Sequence, residues 1–486
     1  MKKSTLSEHI IERDIIKTPA NAAFGEMLSS NPWCKYSLPE YIWIALIFIK
    51  YGREKGFSIF SELLYELEGK EICIAEMSKI MKLSPEQQEE FFNAIDKNVV
   101  DNVFSPLTVI YREKEYDYFY NRYSLLDVTL EENISALIYA IGELISQESR
   151  LGIDVRFIVI QFGRAKGKIF FAGGMDPMTF DAITNYPNTD TNDSRLSIYD
   201  AFIRSTTNAI TSINKDETFV DSFWETISTI TPCNPLVMQY DLNREEGKKM
   251  QDFLEDSKKA LSYIQATIGE KAINIKYIVI LGIVTYAVKI YSEIVDGNLH
   301  DKASGRILYR TILEAYINLK YLLLKENENE NVYEAFQEYG LGKFKLVMKK
   351  NKEHKYPNEE PSHYNIDAME LFVNELGNEE FLNIGIGYFD RTSIKNRFKE
   401  VDEDALYELY YEFDTSYAHS FWGAIRESAM LICDNPAHLY HSVPDYNFNQ
   451  NLPSIYPDCN RIIIEMFKVI SDEIELPVGF CEKYEV

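Results

Sequence analysis

The most apolar stretch of the chain, YIVILGIVTYAV at residues 277–288, lies between Lys276 and Lys289. A helix needs roughly 20 apolar residues to cross a bilayer, and only twelve residues separate these two charges. A run this apolar is stable in water only when neighbouring elements cover it. We therefore expect a fully buried core helix here and no membrane span.

Helix signals are dense along the chain, and turn residues are scarce. The 486 residues include 22 glycines and 16 prolines, against 33 tyrosines and 28 phenylalanines. In SPEQQEEFFNAID, we expect Ser84 to be the N-cap, Pro85 the first helical residue and Gln87 the partner in a capping box. Ser37 and Ser105, each followed closely by a proline, are expected to start helices in the same way. These features predict a mainly α fold.

One segment departs from the helical pattern. DVRFIVIQFGRAKGKIFFAGG, residues 154–174, has two apolar runs around Gly163–Gly167 that are rich in β-branched and aromatic residues. This composition predicts a small β-hairpin near 154–172. Its glycines do not match a phosphate-binding loop, because neither G-x-x-x-x-G-K-[ST] nor G-x-G-x-x-G is present.

The length of the chain allows two or three domains, each with its own core. A longer helix is predicted over roughly 129–149, and the turn-forming stretch TPCNPL at 231–236 precedes a change to long charged helices. We place a boundary near residue 240. Residues 1–240 are predicted to form a mostly helical N-terminal domain, a candidate for a sensor or regulatory role. Residues 241–486 are predicted to form an all-helical bundle that carries the candidate site.

The charge balance is strongly acidic, with 50 basic and 76 acidic residues and a formal net charge of −26. Such a field repels phosphate and argues against a protein that coats nucleic acid non-specifically. A nuclease that concentrates a few cations in one cleft remains compatible with it. An acidic bacterial cytoplasmic protein of ordinary surface is the simpler interpretation.

The six cysteines are scattered, with no Cys-x-x-Cys pair, as is usual for proteins of a reducing cytoplasm. The N-terminal MKKSTLSEHIIERDIIKTP has no apolar region of a signal peptide. HLYH places His438 and His441 three residues apart in a predicted loop, without an obvious third ligand. Glu412 and Asp414 could hold a divalent ion, but their spacing is unspecific. We therefore expect a cytoplasmic protein without a metal site or cofactor.

A polar stripe crosses the helix predicted in GRILYRTILEAYINLKYL. Arg306, Arg310, Glu314 and Asn318 follow one another in steps of four, which places them on one helix face. An exposed Arg–Glu ladder of little energetic consequence is one interpretation. The rest of this helix is strongly apolar, which favours the other interpretation, a polar cleft inside the domain.

A second candidate group surrounds His419 in YYEFDTSYAHSFWGAIRES. On a helix predicted from about 415 to 433, His419 would share a face with Ser416, Ser420, Gly423 and Arg426. Histidine can take and return a proton near neutral pH, and a nearby arginine can stabilise an anion. A core histidine that bonds to a serine one turn away is the alternative.

The start of this helix has its own expected function. Asp414 or Thr415 is expected to be its N-cap, and neither is counted as catalytic.

These two segments together resemble an uncharacterised bacterial group, the domain-of-unknown-function family 5677. An Arg-x-x-x-Glu pair on one helix is followed about 100 residues later by tyrosines, a serine and a histidine at near-helical spacing. DRTSIKNRF, residues 390–398, resembles the segment that precedes the last helix pair of that family. The resemblance covers roughly 250–475. Its carriers are Arg310, Glu314, Tyr407, Tyr410, Tyr411, Ser416 and His419.

The resemblance implies an all-helical domain with a polar cleft between the Arg–Glu helix and the histidine helix. It also suggests a bacterial toxin or phage-defence effector, although it implies no particular reaction. Helical ribonucleases of the HEPN class are an analogy. They use Arg-(x4–6)-His on one helix, whereas here His419 precedes Arg426 by seven residues, in the reverse order.

A cationic segment is the best candidate for phosphate contact outside these helices. GKFKLVMKKNKEHK, residues 342–355, has six lysines and one glutamate in an otherwise acidic chain. Lys343, Lys345 and Lys349 are weaker phosphate-binding candidates, together with Arg306 and Arg426. The alternative is a solvated helix end, where lysines favour the helix dipole.

These residues lead to a functional hypothesis, a defence or toxin-type effector whose C-terminal domain is a metal-independent ribonuclease. His419 would be the general acid or base, and Arg310 would stabilise the charge of the transition state. Glu314 would orient Arg310 or share the proton transfer, and Ser416 or Tyr417 would position the phosphate. RNA is then the expected partner.

A non-enzymatic alternative uses the same residues. The cleft would bind a small anionic ligand in a sensor or interaction module, with a protein partner or a second copy of the chain as binding partner. A small-molecule hydrolase is a third hypothesis, and it shares the same residues.

Overall fold

A computed structural model shows a mainly α-helical protein, which confirms the predicted fold class. It describes residues 6–17, 33–99, 102–124, 128–146, 149–167, 169, 177–190, 192–211, 216–241, 244–268, 274–354, 363–375, 377, 383 and 389–484.

The chain divides into two compact units. Unit 1 comprises Met1–Leu236 and Ile432–His441, and unit 2 comprises Val237–Leu431 and Ser442–Val486. The predicted boundary near 240 lies close to the division after Leu236. The short segment Ile432–His441, which the sequence assigned to the C-terminal domain, instead belongs to unit 1.

The secondary structure of unit 1 is as follows. Its elements are β1 (Ile10–Glu12), β2 (Ile15–Lys17), α1 (Trp33–Tyr36), α2 (Leu38–Tyr51), α3 (Arg53–Leu67), α4 (Met77–Ile80), α5 (Pro85–Asp96), α6 (Asp117–Tyr123), α7 (Leu130–Ile145), α8 (Arg150–Ala165), α9 (Pro177–Asn185), α10 (Leu196–Thr211), α11 (Glu217–Ile230) and β3 (Pro235–Leu236). Short 3-10 helices occupy Leu6–Glu8, Ser105–Val109, Lys114–Tyr116, Tyr186–Asn188 and Pro436–His438.

The secondary structure of unit 2 is also mostly helical. Its elements are α12 (Arg244–Ile268), α13 (Ile275–Asp296), α14 (Ala303–Lys325), α15 (Val332–His354), α16 (Ile366–Asn374), α17 (Ile394–Glu400), a π-helical segment (Leu406–Tyr411), α18 (Glu412–Ala418), α19 (Trp422–Ala429), β5 (Ser442–Pro444), α20 (Tyr456–Ser471) and a 3-10 helix (Glu482–Tyr484). Strand β4 (Met430–Cys433) begins in unit 2 and ends in unit 1.

The core of unit 1 is built around α2, almost all of which is buried. The indole of Trp43 makes edge contacts with four phenylalanine rings at centroid distances of 5.8–6.3 Å. These rings come from four separate segments, namely Phe60, Phe91, Phe104 and Phe162. One aromatic side chain therefore joins elements that are far apart in the sequence.

The capping box predicted at Ser84 is confirmed. Its hydroxyl oxygen accepts a hydrogen bond from Gln87 N, and Gln87 Oε1 accepts one from Ser84 N at 3.2 Å. The helix predicted over 129–149 is α7, which begins with a second capping box between Thr129 and Glu132. Both boxes satisfy amide groups that would otherwise have no partner in the first helical turn.

Of the two other predicted serine caps, Ser37 occupies the N-cap position of α2 but makes no side-chain capping bond, and Ser105 is not a cap. Ser37 has a helical backbone conformation because α1 runs into α2, and its N donates to Trp33 O at 2.9 Å. Ser105 lies inside a five-residue 3-10 helix that Phe104 precedes as its N-cap.

The hairpin predicted near 154–172 is also wrong, because residues 150–165 form α8. Residues 168 and 170–172 of that prediction lie outside the described residues. Every residue from Gly152 to Ile160 is buried. A helix that is covered on all sides has no polar stripe, so its apolar run resembles a strand in sequence. Ser149 caps this helix by accepting a hydrogen bond from Gly152 N at 2.9 Å.

The described β-structure lies elsewhere and is small. Strands β1 and β2 form an antiparallel hairpin in which Ile11 pairs with Ile16. A second small sheet includes β3, which pairs with the end of β4 through Pro235 and Cys433.

In unit 2, α14 is the central helix and contacts α13, α17, α18 and α20. The helix predicted from the apolar stretch is α13, but it is not fully buried, since Ile278 is 47% exposed and Tyr286 is 53% exposed. It is the one described helix that is long and apolar enough to cross a membrane, and half of its apolar stretch is buried inside the protein. The core helix of a soluble protein has the same length and composition, so this is weak support for a span.

Candidate functional site

The polar stripe of α14 faces the protein interior and meets the helix that contains residues 404–418. Arg310 Nε donates to Thr415 Oγ1 at 3.2 Å, and Arg310 Nη2 donates to the hydroxyl of Tyr411. That hydroxyl donates to Glu314 Oε1 at 2.8 Å, and Glu314 also pairs with Arg310 at 3.1 Å. Arg310 and Glu314, predicted from their spacing, therefore share one network with Tyr411, which the family resemblance had singled out.

Two further members of the stripe have separate partners. Arg306 is 3% exposed, donates to Pro453 O at 2.7 Å and lies 5.6 Å from the centre of the Tyr417 ring. Asn318 Oδ1 accepts a hydrogen bond from Arg397 Nη1 at 2.7 Å. Arg397 belongs to the segment DRTSIKNRF, so that segment also contributes to the polar interface of α14. An exposed Arg–Glu ladder is excluded.

The 404–418 helix is irregular at the point where it meets α14. Its segment Leu406–Tyr411 is π-helical, and the rings of Tyr407 and Tyr411 stack at 5.3 Å. A π-helical turn inserts an extra residue and changes the direction of the side chains around it, and such turns are frequent at functional sites. Here it aims the hydroxyl of Tyr411 at Arg310.

The helix ends earlier than predicted, at His419. Phe421 N donates to Ser416 O at 2.9 Å and Ser420 N donates to Tyr417 O at 3.4 Å, while Ser420 has a φ of 54°. This pair of hydrogen bonds with a left-handed residue is a Schellman motif, which terminates helices. Glycine usually occupies the left-handed position, and the serine found here is a weak stop signal in sequence.

The predicted common face of His419, Gly423 and Arg426 is therefore wrong. Gly423 and Arg426 lie on the separate helix α19, and Arg426 Nη1 donates to Met430 O at 3.0 Å. The His419 side chain is exposed, and its ring centre lies 5.8 Å from that of Phe421. Among the residues that the structure describes, His419 has no hydrogen bond to Arg310 or Glu314.

The two predicted phosphate-positioning residues near His419 have partners of their own. Ser416 Oγ donates to Phe413 O at 2.6 Å. The hydroxyl of Tyr417 donates to Glu427 Oε2 at 2.5 Å, and burial raises the pKa of this tyrosine.

A buried carboxyl that sequence reasoning missed lies beside Arg306. Asp414 was expected to be an N-cap, but it lies inside the 404–418 helix and is 3% exposed. Burial raises the pKa of Asp414 to about 7, although Arg306 and Arg310 favour its ionised form. Asp458 raises this pKa further by charge repulsion, and burial raises the pKa of Asp458 as well.

Asp458 also lines a cavity of about 980 Å³ in unit 2. Arg461, which is 47% exposed at its side chain, lies 3.3 Å from Asp458 and 4.9 Å above the ring of Tyr410. Aromatic, acidic and basic side chains share the wall. The lining residues are Lys249, Asp252, Tyr456, Pro457, Asp458, Asn460, Arg461, Ile464, Glu465, Lys468, Lys483 and Tyr484.

Residues 342–354 of the predicted cationic segment lie on α15, which contacts α13, α14 and α16, while Lys355 lies outside the described residues. Lys343 lies 4.8 Å from the centre of the Tyr339 ring, and Lys349 pairs with Glu353. Lys345 lies on the same helix. A local pairing such as that of Lys349 is expected at a solvated helix end.

Unit 1 contains a group that could hold a metal ion. His438 and His441 lie together with Cys233 and Cys433, and one donor atom from each falls within 4.8 Å of all the others. The structure thus brings two cysteines to a histidine pair for which the sequence indicated no obvious third ligand. No local sequence pattern reveals this cluster, because Cys233 lies 208 residues before His441.

Comparisons with known proteins give one match. A family model described as "Family of unknown function (DUF5677)" matches residues 277–438, about one third of the chain. This confirms the resemblance seen in the sequence, and the matched segment contains α14 and the 404–418 helix. No curated protein and no solved structure matches the chain.

Proposed function

We propose that unit 2 binds a small anionic compound in the cavity beside Asp458 and Arg461. The observation that carries this proposal is the composition of the cavity wall. The wall combines four cations, Lys249, Arg461, Lys468 and Lys483, with three carboxylates, Asp252, Asp458 and Glu465, a small positive excess in a chain whose net charge is −26. A local concentration of cations attracts an anion against the repulsion of the whole protein.

The size and the remaining lining of the cavity define the ligand class. A volume of about 980 Å³ lies at the upper end of the range for small-molecule sites, about 300–1,000 Å³. Tyr456 and Tyr484 supply aromatic surface, and Asn460 supplies both a donor and an acceptor. A compound with an anionic group and a ring, such as a nucleotide, fits this combination.

The buried carboxyl behind the wall supports a role in proton uptake. Asp458 contacts the cavity and interacts electrostatically with Asp414, whose pKa is about 7. Burial raises the pKa of both carboxyls, and charge repulsion from Asp458 raises that of Asp414 further, so the pair can hold one proton near neutral pH. An anion beside Asp458 would raise the pKa of this pair further, so binding would be coupled to proton uptake.

Binding is best measured by isothermal titration calorimetry on the full chain, with inorganic phosphate and a panel of nucleoside mono- and diphosphates as probes. Arg461→Ala removes a cation that is exposed to the cavity. A hydrogen bond to a charged group contributes about 1.5–3 kcal/mol, so binding should weaken by about tenfold or more. Lys258→Ala is the control for loss of a cation elsewhere in unit 2. Lys258 lies on α12, the helix that supplies Lys249 to the cavity, but Lys258 itself does not line the cavity.

Equal affinities for the wild type and Arg461→Ala would contradict the proposal, as would failure of every probe to bind. Repeating the titration in buffers of different ionisation enthalpy measures proton uptake. Binding without any proton uptake would remove Asp414 and Asp458 from the site while leaving the anion site intact.

Ribonuclease activity, a defence or toxin-type role and a cytoplasmic location stay predictions. The ribonuclease hypothesis requires His419 and Arg310 to act on the same phosphate. Arg310 is hydrogen-bonded to Tyr411 and Thr415, so it would have to exchange these partners for substrate. An RNA cleavage assay with wild type and Arg310→Ala tests this, because an enzyme that uses Arg310 loses its products in the variant.

A further inference from the structure

Four side chains from two distant segments of unit 1 converge on one point. Cys233 follows α11, and Cys433 ends β4. His438 ends the 3-10 helix that follows, and His441 comes three residues later. One sulfur or nitrogen atom from each side chain lies within 4.8 Å of the other three.

Two of the sulfur–nitrogen distances are close to those across a tetrahedral zinc site. Cys233 Sγ lies 3.2 Å from His441 Nε2, and Cys433 Sγ lies 3.6 Å from His438 Nδ1. With Zn–S bonds of about 2.3 Å and Zn–N bonds of about 2.0–2.1 Å, neighbouring sulfur and nitrogen ligands lie about 3.6 Å apart. Since all four donors lie within 4.8 Å of one another, movements of about 1 Å bring them to tetrahedral spacing.

The hydrogen bonds of His438 leave the correct nitrogen available. His438 Nε2 lies 3.2 Å from Thr231 O and 3.0 Å from Thr231 Oγ1. Thr231 Oγ1 donates its own proton to Ile227 O at 2.7 Å, so both threonine oxygens act as acceptors toward the ring. Nε2 must then carry the proton, and Nδ1, which faces Cys433, has a free lone pair. A ring N–H bonded to a backbone carbonyl is the usual support of a metal-bound histidine.

Hydrogen bonds hold Cys433 in place beside the histidines. Asn234 N donates to Cys433 Sγ at 3.4 Å, and Cys433 N donates to His441 O at 2.9 Å. These bonds fix the position of the sulfur relative to His438 and His441.

The loop between the two histidines adopts an unfavourable conformation. Leu439 and Tyr440 have φ values of 52° and 49°, both in the left-handed region. Non-glycine residues there cost free energy, and they persist where the surrounding structure requires them. This double turn brings the ring of His441 to a centroid distance of 5.1 Å from that of His438.

We propose that Cys233, Cys433, His438 and His441 form a structural zinc site. Two sulfur and two nitrogen donors in a tetrahedron are the ligand set that selects zinc. The protein supplies all four ligands, so no position remains for a substrate, as in structural sites. The ion joins the end of α11 to residues 433–441, which also meet through the β3–β4 strand pair and the hydrogen bonds between His438 and Thr231.

Zinc content of the full chain, measured by mass spectrometry of the metal after dialysis against a weak chelator, tests the site. We expect one equivalent of zinc per chain. Cys233→Ser and His441→Ala are the informative variants, because both residues are exposed and Cys433 is fully buried. Each variant should bind zinc at least about tenfold more weakly, since even the loss of a supporting residue costs that much.

Cys481→Ser and His363→Ala are matched controls from outside the group, and both should retain wild-type zinc. Circular dichroism at equal temperature checks that each variant is folded. Cobalt supplies a second readout, because Co²⁺ in a tetrahedral site with thiolates absorbs visible light and shows a sulfur-to-cobalt charge-transfer band. Both signals should weaken in Cys233→Ser.

Three results would overturn the proposal. The wild type could bind no zinc after purification under reducing conditions with zinc supplied. It could bind zinc that survives both informative variants unchanged, which would locate the ion elsewhere. Peptide mapping could also find Cys233 and Cys433 joined as a disulfide in the reduced preparation, which would remove both sulfur ligands.

Discussion

Replacing Asp414 by asparagine is the sharpest test of the polar interface in unit 2, because asparagine has nearly the same shape and cannot ionise. Asp414 is 3% exposed, and burial raises the pKa of its carboxyl from 3.8 to about 7. The folded protein therefore holds this proton more tightly than the unfolded chain. Tighter proton binding stabilises the folded protein relative to the unfolded chain. This contribution to the free energy of unfolding is fully present below pH 3.8 and is lost as the pH rises through about 7.

The size of the effect follows from the two pKa values. Each pKa unit corresponds to about 1.4 kcal/mol, so a rise from 3.8 to about 7 makes the folded protein about 4 kcal/mol less stable at high pH than a protein that keeps the proton. Roughly half of this loss occurs below about pH 5.5. Between about pH 5.5 and about pH 8, the wild type should lose about 2 kcal/mol relative to Asp414→Asn.

The assay is urea unfolding of both proteins at several pH values in this range, followed by circular dichroism. Glu40, a buried carboxyl of unit 1 whose pKa burial also raises to about 7, is common to both proteins and cancels in the difference. Glu408→Gln, an exposed change on the same helix, should give a difference from wild type that does not vary over this range. A difference between wild type and Asp414→Asn that is constant with pH, or that has the opposite slope, would refute the reasoning.

Four further substitutions have defined outcomes. Gly305→Ala should destabilise unit 2 by about 1–3 kcal/mol or more, because its Cβ would lie 2.1 Å from a backbone carbonyl oxygen; Gly282→Ala, whose Cβ meets nothing within 4 Å, should stabilise α13 by about 0.5–1 kcal/mol. Differential scanning calorimetry should show a lower melting temperature for Gly305→Ala and a higher one for Gly282→Ala. Ser84→Ala should cost about 1 kcal/mol through loss of the capping box, measured by urea unfolding, and no change would mean that the cap is not formed. His419→Ala should leave the melting temperature unchanged because this side chain is exposed; a large fall would instead favour the core-histidine interpretation.

The spacing of residues on α14 predicted part of the site correctly. Steps of four placed Arg306, Arg310, Glu314 and Asn318 on one face, and that face does meet polar partners in the interior. Helix periodicity depends only on local geometry, so it can be read from a short window. The partner Tyr411 was identified through the family resemblance, because nothing local connects it to a residue about 100 positions earlier.

The failures share a physical cause. Residues 154–165 have the composition of a strand, but they belong to a helix in which every residue from Gly152 to Ile160 is buried, because packing outweighs intrinsic propensity. The helix containing His419 stops at Ser420, where a non-glycine residue takes a left-handed conformation. In both cases the surrounding structure, rather than the local sequence, selected the backbone conformation.

The amino-acid sequence by itself determined the helical class, the capping box at Ser84 and the polar face of α14, because each depends on residues within a few turns of one another. Only the tertiary structure decided which carboxyl is buried beside Arg306, and only it brought Cys233 to His441 across 208 residues. Burial and long-range proximity are properties of the packed chain. Asp414, with its raised pKa, and the cysteine–histidine cluster, with its four candidate metal ligands, depend on burial and on long-range proximity.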